Sequence, residues 1–227
     1  MTRAVFYDVD GTLVDSNDAH ARAWVAAFAE AGYEIPFARV RPLIGMGAER
    51  IIPKLVPELT EASEPGRTIS ARRGQIFFER ELSKLAATRG ARALLEAVHA
   101  RGARNVVATS GKPEELDAIL SHVEVRPLVD VATSSGEASS SKPAPDIVTA
   151  ALRAASLEPT AAVLVGDTRY DIEAAHRAEV PCVALRCGGS DPHTLEEAEA
   201  VYDDPQALIG GLDRPPFVWA RTSATAR

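Results

Sequence analysis

Acidic, hydroxyl and ammonium groups recur at the ends of apolar runs in this sequence. Asp8 and Asp10 sit in "VFYDVDGTLVDS", Thr109 and Ser110 end "VVATS", Lys142 follows a serine-rich stretch, and Asp167 ends "VLVGD", with Asp171 one helical turn further on. A carboxylate is costly to bury without a partner, and several together raise that cost. If these run ends meet at one edge, they form a site for a hard divalent cation with oxygen ligands, which neutralises carboxylates and can also bind a phosphoryl oxygen. Mg²⁺ suits such a set. Period-two alternation would turn Asp8 and Asp10 to one side, but Gly11 lets the backbone turn sharply just beyond them, so the two can take separate tasks. One carboxylate beside the cation can attack phosphorus, while the other exchanges a proton with the leaving oxygen and with water.

The elements that must position these groups follow from the apolar pattern. Short Val-, Ala- and Leu-rich runs at Val5–Val9, Asn105–Thr109, Val129–Ser134, Ala162–Asp167 and Pro181–Arg186 predict parallel strands buried on both faces. Helical spacing lies between them at Arg92–Arg101, Pro113–His122, Ala144–Ala155 and Arg169–Ala178, with Asp167 or Thr168 offering an N-cap to the last. Strand and helix in alternation give an α/β fold, a doubly wound Rossmann-like parallel sheet, whose ligands bind beyond the carboxyl ends of the strands.

One segment breaks the alternation. From about Asn17 to Ala87 only helical patterns occur, at Ala19–Ala31, Ala48–Val56 and Arg72–Ala86, with Pro53 expected to break or kink the middle one. The expected organisation is therefore an α/β core of residues 1–15 and 88–213, an inserted α-helical cap domain of residues 16–87, and a peripheral C-terminal tail, 214–227. The joints, Val14–Asn17 and Ala87–Ala91, form a two-stranded hinge.

Bulk properties narrow the partners. A formal net charge of −7 and a pI near 5.3 oppose binding to nucleic acid or an anionic membrane. No apolar run reaches the roughly 20 residues a spanning helix needs. Cys182 and Cys187 do not form a Cys-x-x-Cys motif and read as core thiols, and no signal peptide precedes Val5, so a reducing cytoplasmic setting is expected. The partner expected is a small phosphorylated metabolite, with the chain a monomer or homodimer.

In order, "DVDGTLVDS", "VVATSG", "SKPAPDI" and "VLVGDTRYDIEAA" resemble the four motifs of the haloacid dehalogenase superfamily, in its phosphatase branch with a helical cap inserted after the first motif. The resemblance spans about Ala4 to Leu212 and is phosphoglycolate phosphatase-like. It implies Asp8 as a nucleophile forming an aspartyl-phosphate and Asp10 as general acid and then base, a position where the family's true dehalogenases lack an aspartate. It further implies phosphate binding by Gly11, Thr109, Ser110 and Lys142. Mg²⁺ would be held by Asp8, Asp167 and the carbonyl of Asp10, with Asp171 supporting its waters or Lys142.

In the cap, His20, Gly47 and Arg50 are candidate substrate contacts, the latter two in "LIGMGAER". The implied activity is hydrolysis of a small phosphomonoester, phosphoglycolate or a sugar phosphate. "HARAW" is also reminiscent of β-phosphoglucomutase, a phosphosugar mutase. Against that stand Gly166, where mutase relatives carry an acidic residue, and Ala48, where they carry arginine. A phosphate-binding module without turnover is the other alternative, opposed by the complete acidic set.

Overall fold

The computed structural model describes residues 1–219. Its centre is a parallel sheet of β1 (Ala4–Tyr7), β2 (Arg104–Ala108), β3 (Val131–Thr133), β4 (Ala162–Gly166), β5 (Cys182–Leu185) and β6 (Ala200–Tyr202), in the order β3-β2-β1-β4-β5-β6. Strand β1 lies inside the sheet with every residue fully buried, which is why its sequence carries no polar alternation. Val5 and Tyr7 pack into one apolar layer while Ala4 and Phe6 face the other. The strand order reverses between β1 and β4, so a crevice opens beyond their carboxyl ends, where Asp8 and Asp167 emerge.

Helices α5 (Ala91–Ala100), α6 (Pro113–His122), α7 (Asp146–Ala155) and α8 (Arg169–Arg177) link the strands. Between β1 and α5 lie α1 (Asn17–Glu30), α2 (Phe37–Val40), α3 (Ala48–Leu55) and α4 (Gly66–Ile76); α9 (Pro205–Ile209) follows β6. Helix α3 runs through Pro53, only two residues before its end, so the lost backbone bond is nearly the last one. The expected helix at Arg72–Ala86 instead begins at Gly66 as α4 and loosens into a wider π turn over Phe77–Glu81 and a tight turn over Leu82–Lys84.

The two chain segments joining the helices to the sheet are bonded to each other. Asp15 donates its amide to Ala86 O at 3.0 Å, and Thr88 N donates to Leu13 O at 3.0 Å while Thr88 Oγ1 reaches Thr12 O at 2.6 Å. Gly90, at φ 82°, turns the return segment against Gln206, where an added Cβ would lie 2.6 Å from backbone. No helix among the described residues is long and apolar enough to cross a membrane.

The tail is not peripheral over its described part, and residues 220–227 lie outside the described residues. Phe217 is buried, Val218 exchanges hydrogen bonds with Thr2, and Trp219 Nε1 donates to Leu212 O. An aromatic removed from a closed core leaves a cavity as well as lost transfer energy. Phe217→Ala is therefore expected to cost about 3 kcal/mol in urea unfolding; a change within about 0.5 kcal/mol, the range of an ordinary surface substitution, would show that this end only touches the core.

Candidate active site

At the carboxyl edge of the sheet, Lys142 is fully buried and its Nζ lies 2.6 Å from Asp8 Oδ1 and 2.7 Å from Asp171 Oδ1. A buried ammonium needs such partners, and here they come from β1 and the first turn of α8. Asp171 reaches that position because it also closes a capping box: Thr168 donates through its backbone N at 3.0 Å and its Oγ1 at 2.6 Å to Asp171 Oδ2. One carboxylate thus starts a helix and pairs with the lysine.

Asp8, Asp167 and Asp171 each bring an oxygen within 4.8 Å of the other two, and all three are buried. Against these carboxylates stands one ammonium. Burial, with the charges of Asp171 and Asp10 added, raises the Asp8 carboxyl to about 7 despite Lys142. Burial likewise lifts Asp167 well above the carboxylate range, and hydrogen bonds from Asn17 and Thr12 only partly oppose it. The all-oxygen donor set, short of positive charge and packed tightly, fits a hard divalent cation. Two glycines let these carboxylates pack so closely: a Cβ at Gly188 would fall 1.8 Å from Asp167 Oδ2, and one at Gly166 would fall 2.4 Å from Asp171.

Asp10 occupies a different environment. Its Oδ1 accepts from Ser16 Oγ at 2.5 Å and lies 2.8 Å from His20 Nε2. Burial would raise its pKa, but the charge and hydrogen bond of His20, the Ser16 bond and Arg73 together hold it down at about 2. His20 stacks flat on Phe77 with ring centroids 4.2 Å apart, which fixes the imidazole toward Asp10. Behind it Arg73 Nη1 donates to Glu115 at 2.7 Å, a buried ion pair between α4 and α6, and the guanidinium sits 5.2 Å over the Trp24 ring.

Asp8 and Asp10 both open onto a cavity of about 280 Å³ between the sheet edge and the inserted helices. Thr109 and Ser110 line it from the segment just past β2, and His20, Trp24 and Gly47 line it from the helical side. Gly11, at φ 76°, makes the turn after Asp10 and packs against Asn17 and Asp167 rather than facing the cavity. Arg50 is not among the lining residues; its Nε lies 3.6 Å from Glu49, which is held by Ser141. Burial pushes both thiols up, Cys187 to about 12, so neither is a ready nucleophile.

Sequence reasoning passed over Ser16, Asn17, Arg73 and Glu115. Ser16 and Asn17 had a visible signal, since they lie within ten residues of Asp8, but they read as part of the joint. Arg73 sits in a polar helical stretch that reads as solvated, and its partner is 42 residues away.

A model of the "Haloacid dehalogenase-like hydrolase" family matches residues 5–185. The phosphoglycolate phosphatase of Rhodospirillum rubrum is 30% identical over 234 residues, covering 99% of this chain and 97% of that one. Validoxylamine A 7'-phosphate phosphatase of Streptomyces hygroscopicus subsp. limoneus is 26% identical over 207 residues, covering 90% and 94%. Among solved structures, a hydrolase from Pseudomonas syringae superposes with a TM-score of 0.86 at 28% identity, over 94% of this chain and 98% of that one. With its motifs in order on a doubly wound sheet and its acidic cluster at the strand ends, the chain belongs to the haloacid dehalogenase-like hydrolase family.

Proposed function

We propose that the chain is a Mg²⁺-dependent phosphatase that hydrolyses a small phosphomonoester, phosphoglycolate or a sugar phosphate, through an aspartyl-phosphate. The observation that carries this reading is the separation of Asp8 from Asp10. Asp8 lies in the cation-seeking cluster beside Lys142, whereas Asp10 is turned to Ser16 and His20, yet both open onto one cavity. Asp8, Asp167 and the Asp10 carbonyl would hold Mg²⁺, with Asp171 in support. When bound, that ion supplies positive charge for the phosphoryl oxygens and keeps Asp8 ionised.

In the first half-reaction an Asp8 oxygen forms a bond to phosphorus and the bond to the leaving oxygen breaks. Lys142, the Thr109 hydroxyl and the Ser110 amide hold the phosphoryl oxygens as charge spreads over them. The leaving oxygen takes a proton from the Asp10–His20 pair. In the second half-reaction the Asp10 carboxylate takes a proton from water as that water attacks phosphorus, and the Asp8–phosphorus bond breaks.

The inserted helices act as a cap, excluding bulk water when docked as here. Gly47 and Trp24 would face the leaving group. The position of Arg50 supports no substrate contact in the docked arrangement. The mutase alternative draws no support from Gly166, because a side chain there would collide with Asp171. That position has no space for the acidic residue expected of a mutase.

p-Nitrophenyl phosphate hydrolysis is expected to require Mg²⁺, to vanish in Asp8→Asn, and to fall by about 10²–10⁴ in Asp10→Asn. Equal rates for wild type and Asp8→Asn in the presence of Mg²⁺ would overturn the catalytic reading.

His20 sets a pH dependence. Since His20 is the main force holding the Asp10 pKa down, its loss in His20→Asn leaves only Ser16 and Arg73 to oppose burial, and the pKa rises. The ionised base is then lost at higher pH. Acid-quench measurement of phosphoenzyme breakdown should stay flat through mildly acidic pH in wild type and fall off there in His20→Asn. Superimposable profiles would remove His20 from this role.

A further inference from the structure

We propose that Asn17, the first residue of the inserted helical segment, is a positioning residue for the cation through Asp167. The inference rests on the reading of Asp8 and Asp167 as ligands. Asn17 is buried at 2% exposure, and its Nδ2 donates to Asp167 Oδ2 at 2.8 Å and to Gly188 O at 3.0 Å. The other oxygen, Asp167 Oδ1, accepts from Thr12 Oγ1 at 3.2 Å. Both carboxylate oxygens are therefore oriented by neutral donors. A cationic donor in the same place would satisfy Asp167 but would also discharge it, competing with the ion; an amide orients the carboxylate and leaves its charge available.

Two features show that this amide is fitted to the site. Its orientation is fixed by chemistry, because turning it over would place Oδ1 against two acceptors, Asp167 Oδ2 and Gly188 O. It is also wedged against the nucleophile turn, where a Cβ on Gly11 would come within 2.1 Å of Nδ2. In this orientation Oδ1 is left as a buried acceptor with no protein partner. An orphan buried acceptor is costly, and the hydration shell of a nearby cation supplies donors of the right kind.

Asn17 ends the Val14–Asn17 joint and begins α1, so the group that orients a metal ligand belongs to the helical segment and not to the sheet. Binding is then reciprocal: whatever the docked segment adds to cation affinity, the cation adds to docking.

The test is Mn²⁺ binding by electron paramagnetic resonance, without substrate, on the full chain. Wild type, Asn17→Ala and Arg41→Ala are compared, with far-UV circular dichroism and melting temperature as checks of folding. Arg41 also reaches the Gly188 carbonyl from the helical segment, but it does not touch Asp167, so it controls for the loss of a simple tether. The expected result is a dissociation constant raised about ten-fold or more in Asn17→Ala and nearly unchanged in Arg41→Ala. Should Asn17→Ala fail to fold, Asn17→Ser serves in its place with the same loss expected, since its hydroxyl ends one bond short of the amide nitrogen. Unchanged affinity in the Asn17 variant, or an equal loss in Arg41→Ala, would overturn the proposal while leaving the metal site standing. A wild type that binds no Mn²⁺ would overturn both.

Discussion

A fully buried ammonium among more carboxylates than it can neutralise is the constraint around which this molecule is arranged. Lys142 satisfies Asp8 and Asp171, and Asp167 remains beside them with only neutral donors. In a low-dielectric interior that imbalance is held in place only because the sheet, the α8 capping box and the Gly166 and Gly188 backbones leave the groups nowhere else to go. The same imbalance gives the site its chemistry. In the proposed reading, a cation and a phosphoryl group would complete the charge pattern that the protein itself leaves incomplete.

The helical segment is joined to this arrangement at its first turn. Asn17 and His20, three residues apart on α1, lie on one face of the helix, and both are buried against the sheet edge. One donates to Asp167 and the other pairs with Asp10. A single helical turn thus touches both halves of the proposed chemistry, the cation side and the proton side. The Arg73–Glu115 pair, with both side chains buried, ties the far side of the same segment to α6. Separating the segment from the sheet would break the Asn17, His20 and Arg73 contacts together, which makes its docked position part of the site's electrostatics.

What could be read in the sequence was what local chemistry dictates. Strands β1 and β4 declare themselves because buried parallel strands tolerate almost nothing polar, and β2 does so through its Val106–Ala108 run, so Asp8, Asp10, Thr109 and Asp167 stand out against those runs. Lys142 was legible through its motif rather than its burial. By contrast β6 is three half-buried residues in an acidic stretch and gives no periodic signal, so the sixth strand was missed. Partners distant in sequence were also invisible. Nothing local says that Asn17 will meet Asp167, 150 residues away, or that Arg73 will meet Glu115, 42 residues away.

Thermal unfolding of the free protein against Mg²⁺ concentration reads out the charge imbalance around Lys142 most directly. A ligand that binds only the folded state raises stability with the logarithm of its concentration above its dissociation constant. Wild type should show a melting temperature that climbs with Mg²⁺ and returns on chelation, and Asp167→Asn, which removes one carboxylate from the cluster, should climb much less. A wild-type melting temperature indifferent to Mg²⁺, or an equal rise in both proteins, would contradict the account.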